Sequence, residues 1–92
     1  MAVMVRSGNL TANVVSTINF SNYYPRIAIL NRGSDDIWVR ADSINPTVGG
    51  DDSFVIPSYS WKDNIINSSG TSTEIRLISA SAISFTVEGI TF

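Results

Sequence analysis

The 92-residue chain contains no cysteine and no histidine. Without cysteine it forms neither disulfides nor thiolate metal sites, and without histidine it lacks the commonest general base and the commonest transition-metal ligand. A domain of this size has a thin core, and small folds without disulfides or metals are often stabilised by self-association. We therefore expect a homo-oligomer, with a trimer favoured, and no cofactor.

Charge is also scarce. Charged residues make up 15% of the chain, the net charge is −2, and Lys62 is the only lysine. A nucleic-acid-binding face needs a surplus of lysine and arginine, which this composition does not supply. No apolar run approaches the roughly 20 residues of a transmembrane helix, and the start MAVMVRSGN is unlike a signal peptide. We therefore expect no nucleic-acid partner, no membrane partner and synthesis in the cytoplasm.

Alternation of apolar and polar residues is the dominant pattern, and no segment has the apolar stripe of an amphipathic helix. The alternation is most regular over 10–20 and 82–88, whereas 26–31 is more uniformly apolar. Strands are predicted at about 10–20, 26–31, 36–41, 53–57, 60–66, 74–79 and 82–88, with a possible further strand near 2–5. This spacing predicts an all-β fold, an antiparallel β-sandwich of jelly-roll or immunoglobulin-like type with about seven to eight short strands.

Turn residues separate the predicted strands. Gly33 lies in the polar loop 31–36 and is free to adopt a positive φ, and residues 45–52 and 67–70 mark two further connections. Residues 1–9 have a weaker pattern and are predicted to form an N-terminal arm. Residues 10–92 are predicted to form a single β-sandwich domain.

Aromatic residues supply the main candidate site. Exposed aromatics beside polar residues stack sugars in glycan-binding modules and anchor protein interfaces, whereas in a sandwich they can also fill the core. Trp38 lies on the polar side of its predicted strand, and Tyr23 and Tyr24 are possible additions to the exposed set. The interface candidates are Trp38, Arg40, Tyr59 and Trp61.

Metal binding and catalysis are both weakly supported. Five of the eight acidic residues are Asp35, Asp36, Asp42, Asp51 and Asp52. Loop carboxylates can bind Ca²⁺, but the spacing is not that of an EF-hand and aspartate is a common turn residue. Serine has no histidine to activate it, and Lys62 lies beside Asp63, which would keep it charged. We predict no metal site and no enzymatic activity.

Three segments look familiar: LNRGSDDIWVRADS at 30–43, FVIPSYSWKDNI at 54–65 and IRLISASAISFTVEG at 75–89. Together they resemble a recurrent layout in small structural proteins of tailed bacteriophages. In that layout an apolar strand ends in an Asn-x-Gly turn, a strand presenting the polar face follows, and a proline-containing connection leads to a hairpin that closes on Val-Glu-Gly. The resemblance implies a β-sandwich virion protein and carries no catalytic or ligand motif.

In such virion proteins the roles are capsid decoration, head–tail connection, or tail and fibre assembly. Our first hypothesis is a decoration or cement protein on the outer capsid surface, a homotrimer made in the host cytoplasm that binds across subunits of the major capsid protein. A tail, fibre or head–tail adaptor component is the alternative within the virion. A small glycan-binding module is the alternative outside it.

Overall fold

The computed structural model describes residues 3–20, 23–42, 44–66 and 73–90. The strands are β1 (Val3–Asn9), β2 (Ser16–Phe20), β3 (Arg26–Asn31), β4 (Ile37–Arg40), β5 (Phe54–Ile56), β6 (Trp61–Ile66), β7 (Thr73–Ile78) and β8 (Ser84–Ile90). These residues contain no helix, and hence none that is long and apolar enough to cross a membrane. The predicted all-β fold is confirmed.

The chain is arranged as one long antiparallel ribbon that is folded over on itself. β1 pairs with β8, β2 with β7, β3 with β6, and β4 with β5. Pairing of β3 with β8 and of β4 with β7 then completes two four-stranded sheets. Sheet A has the order β1-β8-β3-β6 and sheet B the order β2-β7-β4-β5. This is the order of an eight-stranded jelly roll, the first of the two predicted sandwich types.

One apolar core fills the space between the sheets. In β8 the side chains of Phe85 and Val87 are buried, whereas Ser84, Thr86 and Glu88 are half-buried, because successive side chains of a strand point to opposite faces. Sheet A contributes Ile27, Ile29, Ile65, Phe85 and Val87, and sheet B contributes Phe20, Ile37, Val39, Ile56, Ile75 and Leu77. Each such burial stabilises the fold by about 1.5–3 kcal/mol before the entropic cost of folding.

The N-terminal part of the chain differs from its prediction. Val3–Asn9, where the sequence predicts an arm with a possible strand near 2–5, pairs along its whole length with β8 as an edge strand of sheet A. The predicted strand over 10–20 is wrong for residues 10–15, which connect sheet A to sheet B. Leu10 is buried and its N–H donates to the carbonyl of Ile83 at 2.7 Å. The predicted turn at 67–70 lies outside the described residues.

Buried Asn31 holds three chain segments together at one end of the sandwich. Its Nδ2 lies 2.7 Å from the carbonyl oxygen of Asp35, 3.0 Å from that of Ile56 and 3.1 Å from that of Pro57. Its Oδ1 accepts the N–H of Gly33 at 2.9 Å. The side chain therefore satisfies backbone groups that would otherwise be buried without partners, which costs about 1–3 kcal/mol for each group.

Gly33 is required for space and not for its backbone conformation. Among the described glycines only Gly49 has a positive φ, so Gly33 does not use the positive φ that is open to it. A Cβ on Gly33 would lie 2.2 Å from the Cβ of Ile83, which is far inside van der Waals contact. The loop after β3 can therefore pack against the segment before β8 only with glycine at this position.

We expect Asn31→Asp to destabilise the fold at neutral pH by about 3–5 kcal/mol, because a carboxylate would face three carbonyl oxygens without a hydrogen to donate. Urea denaturation measures the loss. Protonation restores one donor, so the difference from wild type should shrink as the pH falls. Ser34→Ala, at an exposed position of the same loop, should change stability by less than about 0.5 kcal/mol. An Asn31→Asp loss that is independent of pH would contradict this role.

Candidate docking surface

Trp61 and Leu30 form an exposed apolar patch on the outer face of sheet A. Trp61 begins β6 and is opposite Leu30 of β3, and the two side chains are 63% and 41% exposed. The carbonyl of Ser60 accepts the N–H of Asn31 at 2.8 Å, which fixes the start of β6 against the end of β3. Large side chains exposed next to one another in this way mark interaction sites more often than isolated ones do.

Tyr59 lies two residues before Trp61, in the turn between β5 and β6. The N–H of Ser60 donates to the carbonyl of Pro57 at 3.1 Å, so Tyr59 is the third residue of a four-residue turn. Its φ is 55° and its side chain is 70% exposed. Such a turn position favours glycine or asparagine, and the left-handed conformation costs other residues about 1–2 kcal/mol.

A bulky aromatic in a strained conformation with most of its surface in solvent is not explained by packing of the domain. Strained backbone of this kind is concentrated at functional sites. Tyr59 therefore points to a function for the surface that it shares with its neighbours. We call Leu30, Tyr59 and Trp61 together the aromatic corner.

A shallow depression adjoins the aromatic corner on the same face of sheet A, with a volume of about 200 Å³. The residues that line it are Ala28, Ile29, Leu30, Trp61, Thr86 and Glu88. In the register of β3 with β8, Ala28 is opposite Glu88. The Oγ1 of Thr86 lies 2.9 Å from the Oγ of Ser7 in β1, so this hydroxyl already has a partner.

The other two interface candidates, Trp38 and Arg40, lie on the outer face of sheet B. Trp38 is half-buried there. The guanidinium of Arg40 forms ion pairs with the carboxylates of Asp42 and Asp52. The structure therefore divides the four candidates into two pairs: Trp38 and Arg40 lie on sheet B, whereas Tyr59 and Trp61 lie at and just after the turn into β6 of sheet A.

The charged groups on the face of sheet B are paired with one another. The hydrogen bond from Arg40 holds the pKa of Asp42 below the usual value of 3.8, and the same bond raises the pKa of Arg40. Arg76 pairs with Glu74 at 2.7 Å and donates from Nη1 to the Oδ1 of Asn45 at 2.7 Å. These contacts fasten the loop between β4 and β5 onto sheet B.

The remaining aromatic candidates divide between surface and core. Tyr23 is exposed, whereas Tyr24 is buried and so belongs to the core, the alternative that the sequence left open for these aromatics. The Tyr24 ring packs edge-to-face on Phe20 with the centroids 5.4 Å apart. A Cβ on Gly89 would lie 2.6 Å from the Tyr24 ring, so this glycine leaves the space that the tyrosine occupies.

The acidic loop residues act as hydrogen-bond acceptors and ion-pair partners. Asp35 accepts from the Oγ of Ser81 and from the N–H of Asp36, both at 2.8 Å, and these bonds lower its pKa. Asp36 accepts the N–H of Ser58 at 3.3 Å. In the described part of the chain, no group of three or more potential metal ligands is found.

Part of the docking surface has no signal in the sequence. Tyr59 and Trp61 are recognisable as aromatics that follow a proline in a polar segment. Leu30, Thr86 and Glu88 are not, because alternation assigns a residue to a face of a strand and does not say which residue of another strand lies beside it. Leu30, Thr86 and Glu88 could be found only by knowing which residues of β6 and β8 lie opposite each residue of β3.

The comparisons with known proteins do not identify this surface. A scan against protein-family models, a search of the curated proteins and a search of the solved structures each found no match. The geometry of the aromatic corner is therefore the main observation that bears on function.

We expect Tyr59→Gly to stabilise the isolated protein by about 0.5–1 kcal/mol, because glycine adopts a positive φ without strain and the tyrosine ring contributes little packing. Thermal or urea unfolding measures the gain. Tyr59→Asn should give a smaller gain, since asparagine tolerates the conformation less well than glycine does. A substantial loss of stability with glycine would show that the ring packs against the domain.

The pKa of Asp42 provides a test of the ion pairs on sheet B. Since this pKa is lower in the folded than in the unfolded state, the pair contributes stability above the unfolded value of 3.8, and the contribution is lost as the pH falls through the folded-state pKa. Asp42→Asn should therefore lower the unfolding free energy at pH 7, by less than about 1 kcal/mol because the pair is partly exposed.

This difference between Asp42→Asn and wild type should vanish in acid, where urea unfolding of both proteins is compared again. Asp51→Asn is the matched control, since Asp51 lies in the same loop and makes no ion pair with the described residues. A difference that persisted below the folded-state pKa would show that the Asp42 charge is not responsible.

Proposed function

We propose that this chain is a non-enzymatic structural protein of a phage virion, a decoration or cement protein that docks on the major capsid protein through the aromatic corner. The observation that carries the proposal is Tyr59, an exposed aromatic that the fold keeps in a strained turn beside exposed Trp61. The cost of this conformation is offset if the side chain is buried against a partner.

The chemistry of the aromatic corner suits a protein partner. Interfaces are enriched in tyrosine and tryptophan, and a few such anchors account for most of the binding free energy. Each aromatic side chain buries about 150–250 Å² at about 25 cal/mol per Å², so three neighbouring apolar side chains give a modest affinity after the costs of association. Repetition over many sites of a shell converts such contacts into strong attachment.

The resemblance to phage structural proteins supports a virion as the setting. Its three segments meet at the docking surface, since 30–43 supplies Leu30, 54–65 supplies Tyr59 and Trp61, and 75–89 supplies Thr86 and Glu88. Jelly rolls occur in viral shells and in lectins, so the fold is compatible with this setting but does not select it.

The proposal includes self-association, with a trimer as the expected form. The N–H of Leu10 donates to the carbonyl of Ile83, in the segment before β8. In an antiparallel pair, alternate residues of a strand direct their backbone N–H and C=O groups toward the partner strand. The intervening residues of β1 therefore direct these groups away from β8; they are Val3, Val5, Ser7 and Asn9. In the described chain no strand pairs with that side of β1. An open edge of seven residues favours assembly with a further strand.

Co-sedimentation tests the proposed function. Labelled protein is mixed separately with emptied capsids and with isolated tails of a phage that encodes the chain. Saturable binding to capsids, at a copy number comparable to that of the shell subunits, is expected. Binding to tails alone would replace decoration by a tail or adaptor role, and binding to neither would overturn the virion proposal.

Variants of the aromatic corner connect the binding to this surface. Trp61→Ala and Tyr59→Gly should each weaken capsid binding at least about tenfold, as expected for central anchors. Because Tyr59→Gly is expected to be more stable than wild type, its loss of binding cannot be attributed to unfolding. Trp38→Phe, at the other tryptophan and on the opposite face, should bind as wild type does. Equal losses in all three variants would contradict docking through the corner.

A further inference from the structure

We infer that the depression between Trp61 and Glu88 binds one basic side chain of the docking partner, arginine in preference to lysine. The inference rests on the proposed function in one respect, that the basic side chain belongs to a docking partner. The site itself is defined by residues of sheet A and can be tested without any capsid.

The shape of the depression suits one long side chain. Its volume of about 200 Å³ lies below the roughly 300–1,000 Å³ of typical small-molecule sites. Ala28 lies opposite Glu88 and two residues before Leu30 in β3, and its small side chain leaves the space open. Trp61 and Leu30 offer apolar surface along which the methylene groups of a lysine or arginine can pack.

The charge of the depression suits a cation. The carboxylate of Glu88 is half-buried and makes no ion pair with any described residue. Glu88 differs in this respect from Glu74, which also points outward, from β7 of sheet B. Glu74 forms an ion pair with Arg76 at 2.7 Å. The chain as a whole carries a net charge of −2, which further favours a basic partner.

Arginine fits this combination better than lysine does. Its planar guanidinium stacks on the face of an indole ring and donates two parallel hydrogen bonds to a carboxylate. Trp61 and Glu88 provide these two groups beside the same depression. Lysine presents a compact ammonium that can contact either group but lacks the planar, two-pronged geometry.

A sugar is the competing occupant, because tryptophan also stacks on sugar rings. A sugar carries several hydroxyl groups that need hydrogen-bonding partners when they leave water. The depression offers two polar side chains, and the Thr86 hydroxyl is already 2.9 Å from the hydroxyl of Ser7. One unpaired carboxylate beside apolar walls therefore favours a cation with an apolar stem.

The test is an NMR titration of the isolated protein with Nα-acetyl-arginine methylamide. We expect saturable shifts at the indole N–H of Trp61 and at the amides of Ala28, Thr86 and Glu88, in the millimolar range expected for one side chain. The lysine analogue should bind more weakly. The citrulline analogue, which has the same shape without the charge, should bind at least about fivefold more weakly than arginine.

Variants distinguish a site from general attraction of charges. Glu88→Gln should weaken arginine binding at least about fivefold and remove most of its salt dependence. Glu74→Gln, the matched carboxylate on the opposite face, should leave binding unchanged. Ala28→Leu should block the site by filling it.

Three results would overturn the inference: equal binding of citrulline, unchanged binding in Glu88→Gln, or shifts at the same residues with methyl β-glucoside or methyl β-galactoside and none with arginine. The last of these would assign the site to a glycan. Arginine binding without co-sedimentation would leave the site standing and remove the capsid as partner. Co-sedimentation without arginine binding would leave docking standing and remove this site.

Discussion

The position of β3 in sheet A determines where the docking surface forms. β3 is hydrogen-bonded to β8 on one side and to β6 on the other, so a single residue such as Leu30 has Thr86 and Trp61 as its neighbours across the sheet. Asn31 fixes the end of this strand by joining it to the loop after it and to the segment after β5. A shift of β3 by one residue would turn Leu30 inward and separate Trp61 from the depression.

The two outer faces of the sandwich are built on different principles. On sheet B the guanidinium groups of Arg40 and Arg76 are neutralised within the chain, and the loop between β4 and β5 lies against them. On sheet A, Trp61 is largely exposed and Glu88 has no cation among the described residues. Both faces expose apolar side chains, including Phe54 and Val55 on sheet B. The difference lies in the charges, which are paired on sheet B, whereas sheet A leaves the Glu88 carboxylate for a partner to pair with.

The sequence predicts the fold class well because alternation is a local property. Residues 26–31 were predicted as a strand and form β3, and five other strands agree to within about two residues at each end, which is the usual uncertainty of such boundaries. The failure over 10–15 has a physical reason, since alternation reports residue type and not burial. Of these residues only Leu10 is buried, and Val14, which continues the apolar pattern, is 52% exposed in the connection between the sheets. Residues 3–9 alternate less clearly, because an edge strand is buried on fewer sides.

The candidate site is less predictable than the fold. Tyr59 and Trp61 are visible from residue type alone, but exposure is decided by the second sheet, which buries Tyr24 and leaves Tyr59 in solvent. The strain at Tyr59 follows from the turn geometry and has no composition signal. Trp38 has the same residue type as Trp61, and only the arrangement of the sheets assigns Trp38 and Arg40 to the opposite face.

The folded-over ribbon also determines when the strands can pair during synthesis on the ribosome. Val3 pairs with Ile90, so β1 gains its partner only after the residues of β8 have been synthesised. At about 5–20 residues per second, the N-terminal strand spends several seconds without its neighbour, and pairing across such separations is slow compared with local hairpin closure. Until β8 emerges, the backbone edges of β1 and β3 that it will join remain open. Nascent chains on neighbouring ribosomes can pair through those open edges. The topology that creates the docking surface therefore also makes correct folding depend on the timing of synthesis.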